Sequence, residues 1–317
     1  MRHTVCLALL FWLIVSCGRA ADEPADQSAE DSQRARFAAA AARLLAMTED
    51  GQVVSRTPEG YPAHQGDSLL WTWTAIAALG CDEGRPLLAA ALSRLRAAGG
   101  YHVRFEPLPA EYQGGNEISI DPEIGFWFGV ASRWRRCPED RDALAEGWQL
   151  RQSAIAHADG RIHPNVATTI LPGIDAVRDQ ITWAMGLGPA PSGGRLGLLG
   201  AELSGWATAV VTVRAACYRL NLAWTSIRAL EEAGGAIAGR WRDAFCRATA
   251  PAGIATVDHW CGRGGLEEFV GSFEFNRWES ALQRCSGWET PDGQGLETPG
   301  LDLIVAMREL YGSSLDN

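Results

Sequence analysis

The chain has 317 residues, 47% hydrophobic and 21% charged, enough for one large or two small domains with a substantial core. Its formal net charge is −10, which argues against nucleic acid or anionic lipid headgroups as partners, since both reward a basic face. Histidine apart, every basic side chain is arginine, so Schiff-base lysine catalysis and a lysine-dependent phosphate loop are excluded.

The first residues have the form of an export signal. Arg2 and His3 are basic, and Val5 to Ser16 is almost wholly apolar, too short to span a bilayer and suited to a signal core. The run ends Leu13-Ile14-Val15-Ser16-Cys17-Gly18, which resembles a bacterial lipobox. That resemblance implies removal of residues 1–16 and lipidation of Cys17, with several acyl chains giving a stable membrane anchor. Glycine after the cysteine then implies the periplasmic side of the outer membrane, or the outer face of the plasma membrane in a Gram-positive cell. The alternative is an ordinary secretory signal cut after Ala20 or Ala21. Residues 17–34 are polar and acidic without apolar periodicity, the pattern of a flexible tether. A single domain is expected over 35–317.

Arg36 to Met47 is rich in alanine and leucine and predicts a helix; residues 49–65, broken by Gly51, Pro58, Gly60 and Pro62, predict a loop. A pattern then occurs twice. Asp67 to Leu79 has no charge after Asp67, the signature of a helix buried on most sides. Gly80 to Gly84 ends it, and Pro86 to Ala98 is amphipathic, with Leu87, Leu88, Ala91, Leu92 and Leu95 on one face. Gly99-Gly100 stops that helix. Asp121 to Trp134 is again apolar nearly all round, Cys137-Pro138 breaks it, and Pro138 to Ala156 is amphipathic. Asp175 opens a third segment, so Asp67, Asp121 and Asp175 recur at a constant interval of 54 residues, the mark of a helical-hairpin repeat. Trp206 to Glu232, Ala236 to Ala248, Glu267 to Arg284 and Leu301 to Tyr311 complete the helices. Within them, Arg219 and Asn221 need partners among apolar neighbours.

The expected fold is therefore all-α: buried helices forming an inner layer, amphipathic ones an outer layer. This pattern resembles the α/α toroid of six-hairpin glycosidases and related polysaccharide lyases. Gly66-Asp67-Ser68-Leu69-Leu70-Trp71, the Arg104/Pro107 return and Ser119-x-Asp121 also resemble a group of bacterial toroid-type proteins of unassigned activity. Six hairpins at this period need about 324 residues, so a hairpin is trimmed or the ring is incomplete.

In such a ring the inner helices run parallel and their N-termini share a rim. Asp67 and Asp121 are the first candidates for a catalytic carboxylate pair, with Glu117 and Asp175 in reserve, because glycoside hydrolysis needs one carboxyl to protonate the leaving oxygen and another to activate water or attack carbon. The competing explanation is that an aspartate at a helix start caps backbone N–H groups. Trp71, Trp73 and Trp127 are candidates for stacking on sugar rings, the alternative being core packing. Tyr101-His102-x-Arg104 offers a base and a cation for a lyase acting on uronates, the alternative being a β-type segment with alternating side chains; His163 has the same two readings. Asp258-His259-Trp260 lacks an accompanying Gly-x-Ser-x-Gly elbow and points to a structural histidine. No Cys-x-x-Cys occurs, so no zinc cluster is expected, and no metal, nucleotide or flavin motif implies a cofactor.

An exported protein can form disulfides. Cys81 and Cys137 each follow a buried helix and would meet at the rim opposite the aspartates, so a Cys81–Cys137 bond is expected; the pairing of Cys217, Cys246, Cys261 and Cys285 stays open. The function expected is polysaccharide hydrolysis, or lyase chemistry, in the cell envelope; a non-catalytic carbohydrate-binding or envelope-assembly lipoprotein is the alternative. The expected partners are a polysaccharide or oligosaccharide and, through the lipid anchor, the membrane; the oligomeric state is left open.

Overall fold

The computed structural model describes residues 27–56, 62–63, 68–102, 120–155, 175–192, 217–235, 238–252, 255–272 and 301–315. Over these the fold is helical, as expected. Helix α1 spans Gln27–Ala46 and is followed by two small antiparallel pairs, β1 (Thr48–Glu49) with β2 (Gln52–Val53) and β3 (Ser55–Arg56) with β4 (Pro62–Ala63). Helices α2 (Ser68–Ala78), α3 (Cys81–Ala97), α4 (Ile120–Arg136), α5 (Arg141–Ile155), α6 (Asp175–Ala184), α7 (Cys217–Glu232), α8 (Ala238–Thr249), α9 (Ala255–Trp260), α10 (Leu266–Ser272) and α11 (Leu301–Tyr311) follow. No helix among the described residues is long and apolar enough to cross a membrane.

Three boundaries differ from expectation. Gln27 to Arg34, expected to be tether, belongs to α1: once the alanine-rich segment nucleates, extending a helix backward adds one bond per residue. Gly80 to Gly84 is not a turn but mainly the first turn of α3, where Asp82 and Glu83 complement the helix dipole. The loop at 49–65 contains the β pairs. Asp50 and Gly51, with φ of 49° and 73°, make the tight reversal between β1 and β2. A Cβ on Gly51 would lie 2.5 Å from that of Ala90, so the reversal packs directly on α3. Thr72 of α2 holds the hairpin by accepting the Val53 N–H at 2.9 Å while donating to the Ser68 carbonyl.

Helix α2 is buried along its whole length. It packs on α4 through Gly125 and Gly129, one turn apart: a Cβ on the first would lie 2.9 Å from Leu70 Cα, and on the second 2.9 Å from the Trp73 carbonyl oxygen. Successive contacts run Gly125 to Leu70, Gly129 to Trp73, Ser132 to Ala77 and Arg133 to Gly80, so α2 and α4 are parallel. Phe128 meets Trp224 and Arg135 meets Glu232, so α7 runs parallel on the other side of α4. Amphipathic α3 and α5 pack outside α2 and α4, burying the leucine stripe of α3 and Leu144 and Trp148 of α5. Helix α11 returns against α2 and α1, and its Glu309 reaches Arg228 of α7.

Candidate functional site

Parallel packing gives the central helices a common N-terminal end and a common C-terminal end. Asp121, in the first turn of α4, stands half-buried at the N-terminal end, and Asp175 opens α6. Asp67, Arg104, Glu117 and His163 lie outside the described residues, as do Cys17 and the whole signal segment; the side chains of Arg219 and Asn221 are likewise outside them.

Behind this end the side chains are closed in. Trp71 is 5% exposed, and Trp73 and Trp127 are fully buried. These three tryptophans present no open face to a sugar ring, because they sit in the core between closely spaced helices. His102 is 3% exposed and lies edge-on to Trp73, with its ring 4.7 Å from that of Phe126. Burial, and then the nearby Arg151 guanidinium, hold its pKa well below the usual histidine value, and its Nε2 has no hydrogen-bond partner among the described residues. The imidazole packs against Trp73 and Phe126 on one side, and with Leu69, Arg94, Leu95 and Tyr101 it lines a small pocket of about 150 Å³.

Arg151 and Glu123, which sequence reasoning passed over, organise the same region. Both are fully buried and ion-paired, and Arg151 donates to the Gly100 carbonyl at 2.9 Å while standing 5.9 Å over Tyr101. The Gly99–His102 return is thus tied to α5 through a charge that Glu123 neutralises. The signal was present in the spacing: Arg151 follows Leu144 and Trp148 on the buried stripe of α5, and Glu123 adjoins Ile124 on the apolar face of α4.

The C-terminal end is built from arginines and carboxylates. The expected Cys81–Cys137 disulfide is present, with Cα atoms 5.6 Å apart, and a second bond joins Cys246 to Cys261. Glu139 stands beside Cys81 and Cys137, but those sulfurs are bonded to each other and offer no thiolate to a metal. Arg133 of α4 donates to the carbonyls of Gly80 and Cys81, both at 2.8 Å, and pairs with buried Asp140; Arg136 donates to the Ala77 carbonyl. The last turn of α4 therefore caps the end of α2, and Gly84 is small because Arg133 passes there.

Further along this end, a crevice of about 460 Å³ is lined by Arg135, Arg228, Glu231, Glu232, Gly234, Gly235, Ala238, Arg242, His259, Trp260 and Glu309. Arg228 forms ion pairs with Glu309 at 2.6 Å and Glu232 at 3.8 Å, and its guanidinium lies 5.6 Å from the Trp224 ring centre. Burial lowers its pKa, but Glu309, Glu232 and Glu231 more than offset this, holding it above the usual arginine value. Glu231 accepts from Trp260 Nε1 at 3.0 Å and lies 3.6 Å from Arg242; burial nevertheless raises its carboxyl pKa. His259 is half-buried at the crevice wall, and its neighbour Asp258 pairs with Arg263. Sequence periodicity could not find the crevice, because its lining comes from five helices and the α7–α8 connection.

Set against family models, curated proteins and solved structures, this chain has no match.

Proposed function

We propose that the protein is a cell-envelope lipoprotein that binds an oligosaccharide or polysaccharide on an α/α-toroid scaffold without cutting it. The observation that supports the non-catalytic reading is that the described buried and half-buried carboxylates outside the candidate pair Asp67 and Asp121 are engaged by arginine. Glu123 pairs with Arg151, Asp140 with Arg133 and Arg85, Glu232 and Glu309 with Arg228, and Glu231 with Arg242. Acid–base hydrolysis wants two carboxyls free to face a bond from opposite sides. The sugar reading is supported by Trp183 of α6, 47% exposed, since an outward indole can cover the apolar face of a pyranose. Parallel α2, α4 and α7, with amphipathic α3, α5 and α8 following them in the chain, support the toroid. The signal-like segment before Cys17 and two disulfides support an exported location.

A second reading keeps hydrolysis at the N-terminal end through Asp67 and Asp121, favoured by the parallel α2 and α4, which start at the same end. One experiment separates the two. The full-length protein, in detergent, is incubated with a panel of envelope and plant polysaccharides while glycan binding, new reducing ends and the absorbance of unsaturated products are followed. Binding without product supports the binder. Reducing ends that vanish in Asp67→Asn and Asp121→Asn move the assignment to a hydrolase, and unsaturated products move it to a lyase. Absence of both binding and products removes the carbohydrate reading.

A further inference from the structure

We infer that the arginine–glutamate crevice at the C-terminal end is the ligand site, and that it takes a neutral oligosaccharide rather than an acidic or amino sugar. This inference rests on the carbohydrate reading above and adds the location and the ligand class. The crevice, of about 460 Å³, is open to solvent and lined mainly by polar side chains, which suits a hydroxyl-rich ligand better than an apolar one. Its charged lining balances: Arg135, Arg228 and Arg242 face Glu231, Glu232 and Glu309.

The outer members of the set have donors to spare. Arg135 is 64% exposed and meets Glu232 at 3.3 Å; Arg242 is 40% exposed and meets Glu231 at 3.6 Å while donating to the Trp260 carbonyl. A guanidinium carries five N–H donors, so each retains N–H groups directed away from these partners. Gly234 leaves part of the wall without side chains, and a Cβ placed there would meet nothing within 4 Å. A ring can therefore approach the end of α7 closely.

Charge decides the ligand class. A uronate or phosphate would come against three carboxylates and the negative dipole ends of α4 and α7. An ammonium group would come against three guanidiniums. Sugar hydroxyls avoid both conflicts, since each can donate to a carboxylate and accept from a guanidinium. The Cys246–Cys261 bond joins α8, which carries Arg242, to the residue after Trp260, fixing one wall.

The test titrates the full-length protein in detergent with maltotriose, triacetylchitotriose and trigalacturonate, read by calorimetry and tryptophan fluorescence. The variants are the double substitution Arg135→Ala/Arg242→Ala, chosen because both side chains are more than a third exposed, and Glu146→Gln, an exposed side chain of the outer helix α5 that does not line the crevice. Melting temperatures establish that each is folded. At least one neutral trisaccharide is expected to bind, with trigalacturonate at least tenfold weaker. The double variant should weaken binding by roughly ten- to a hundredfold, the loss expected for charge-assisted hydrogen bonds, and Glu146→Gln should leave it unchanged. Unaltered binding in the double variant overturns the inference, as does a preference for trigalacturonate. Wild-type binding to a polysaccharide of the wider panel but to neither neutral trisaccharide overturns it while sparing the carbohydrate reading. No binding to any glycan overturns both.

Discussion

The two ends of the central helices solve the problem of buried charge differently. Among the described residues, the N-terminal end carries the ion pair Glu123–Arg151, with both partners fully buried and Arg151 beside Tyr101. At the C-terminal end charges form a wider set, partly open to water, in which Arg133, Arg135, Arg136 and Arg228 meet carboxylates and helix carbonyls. Parallel packing explains the segregation. Helix dipoles add at each end, so acids such as Asp121 and Glu123 collect in the first turn of α4, and arginines in its last. An enclosed pair can only hold the fold together; an open set can also exchange its partners for a ligand.

The comparison is broken most severely by Arg151→Leu, which removes the buried ion pair with Glu123 and unties the Gly100 carbonyl. A loss of about 3–5 kcal/mol is expected, read by urea unfolding; a loss below about 1 kcal/mol would show that the pair is not sealed. Replacing Cys81 and Cys137 together by serine attacks the opposite end and should cost about 2–4 kcal/mol, read by the same unfolding curve against the wild type under oxidising conditions. Between the two ends, Gly129→Ala forces a methyl against the Trp73 carbonyl oxygen, 2.9 Å away, and should destabilise by about 1–3 kcal/mol. An unchanged melting temperature would mean that α2 and α4 are not in backbone contact.

The smallest effects sharpen the contrast, because the ends respond to pH with opposite sign. His102 is held neutral by burial, then by Arg151, so its folded pKa lies well below the usual 6.5. Below pH 6.5 the unfolded chain takes a proton that the fold resists, and stability falls as pH falls. Glu231 has its folded pKa raised by burial above the usual 4.5. The fold therefore binds this proton more tightly, and stability falls as pH rises from 4.5 through the raised value. His102→Phe should remove the first dependence and Glu231→Gln the second, in denaturant midpoints measured from pH 4 to 8. A His102→Phe profile identical to wild type would place that imidazole in contact with water.

Much of the architecture was legible from local pattern. The charge-free run of α2 and the leucine stripe of α3 announce a buried helix and a half-exposed one, because burial demands apolar side chains at helical spacing. The Cys81–Cys137 bond followed from placing each cysteine after a buried helix. The tryptophans were harder, since an indole near a helix start suits a cleft or a core equally well, and only neighbour distances show Trp73 enclosed by Gly129, Phe126 and His102. The start of α1 was missed because a polar, acidic composition describes a tether and the outer face of a helix alike.

By itself, the sequence determined the helical class, the alternation of buried and amphipathic helices and one disulfide, since these depend on side-chain periodicity along a single segment. Tertiary structure alone decided which charges meet. Arg151 with Glu123, Arg133 with the carbonyls ending α2, and Arg228 with Glu309 are pairs distant in the chain. A partner brought close only by packing leaves no mark on local spacing, so these contacts, and the crevice that Arg228 and Glu309 help to line, exist only once the parallel helices are in register.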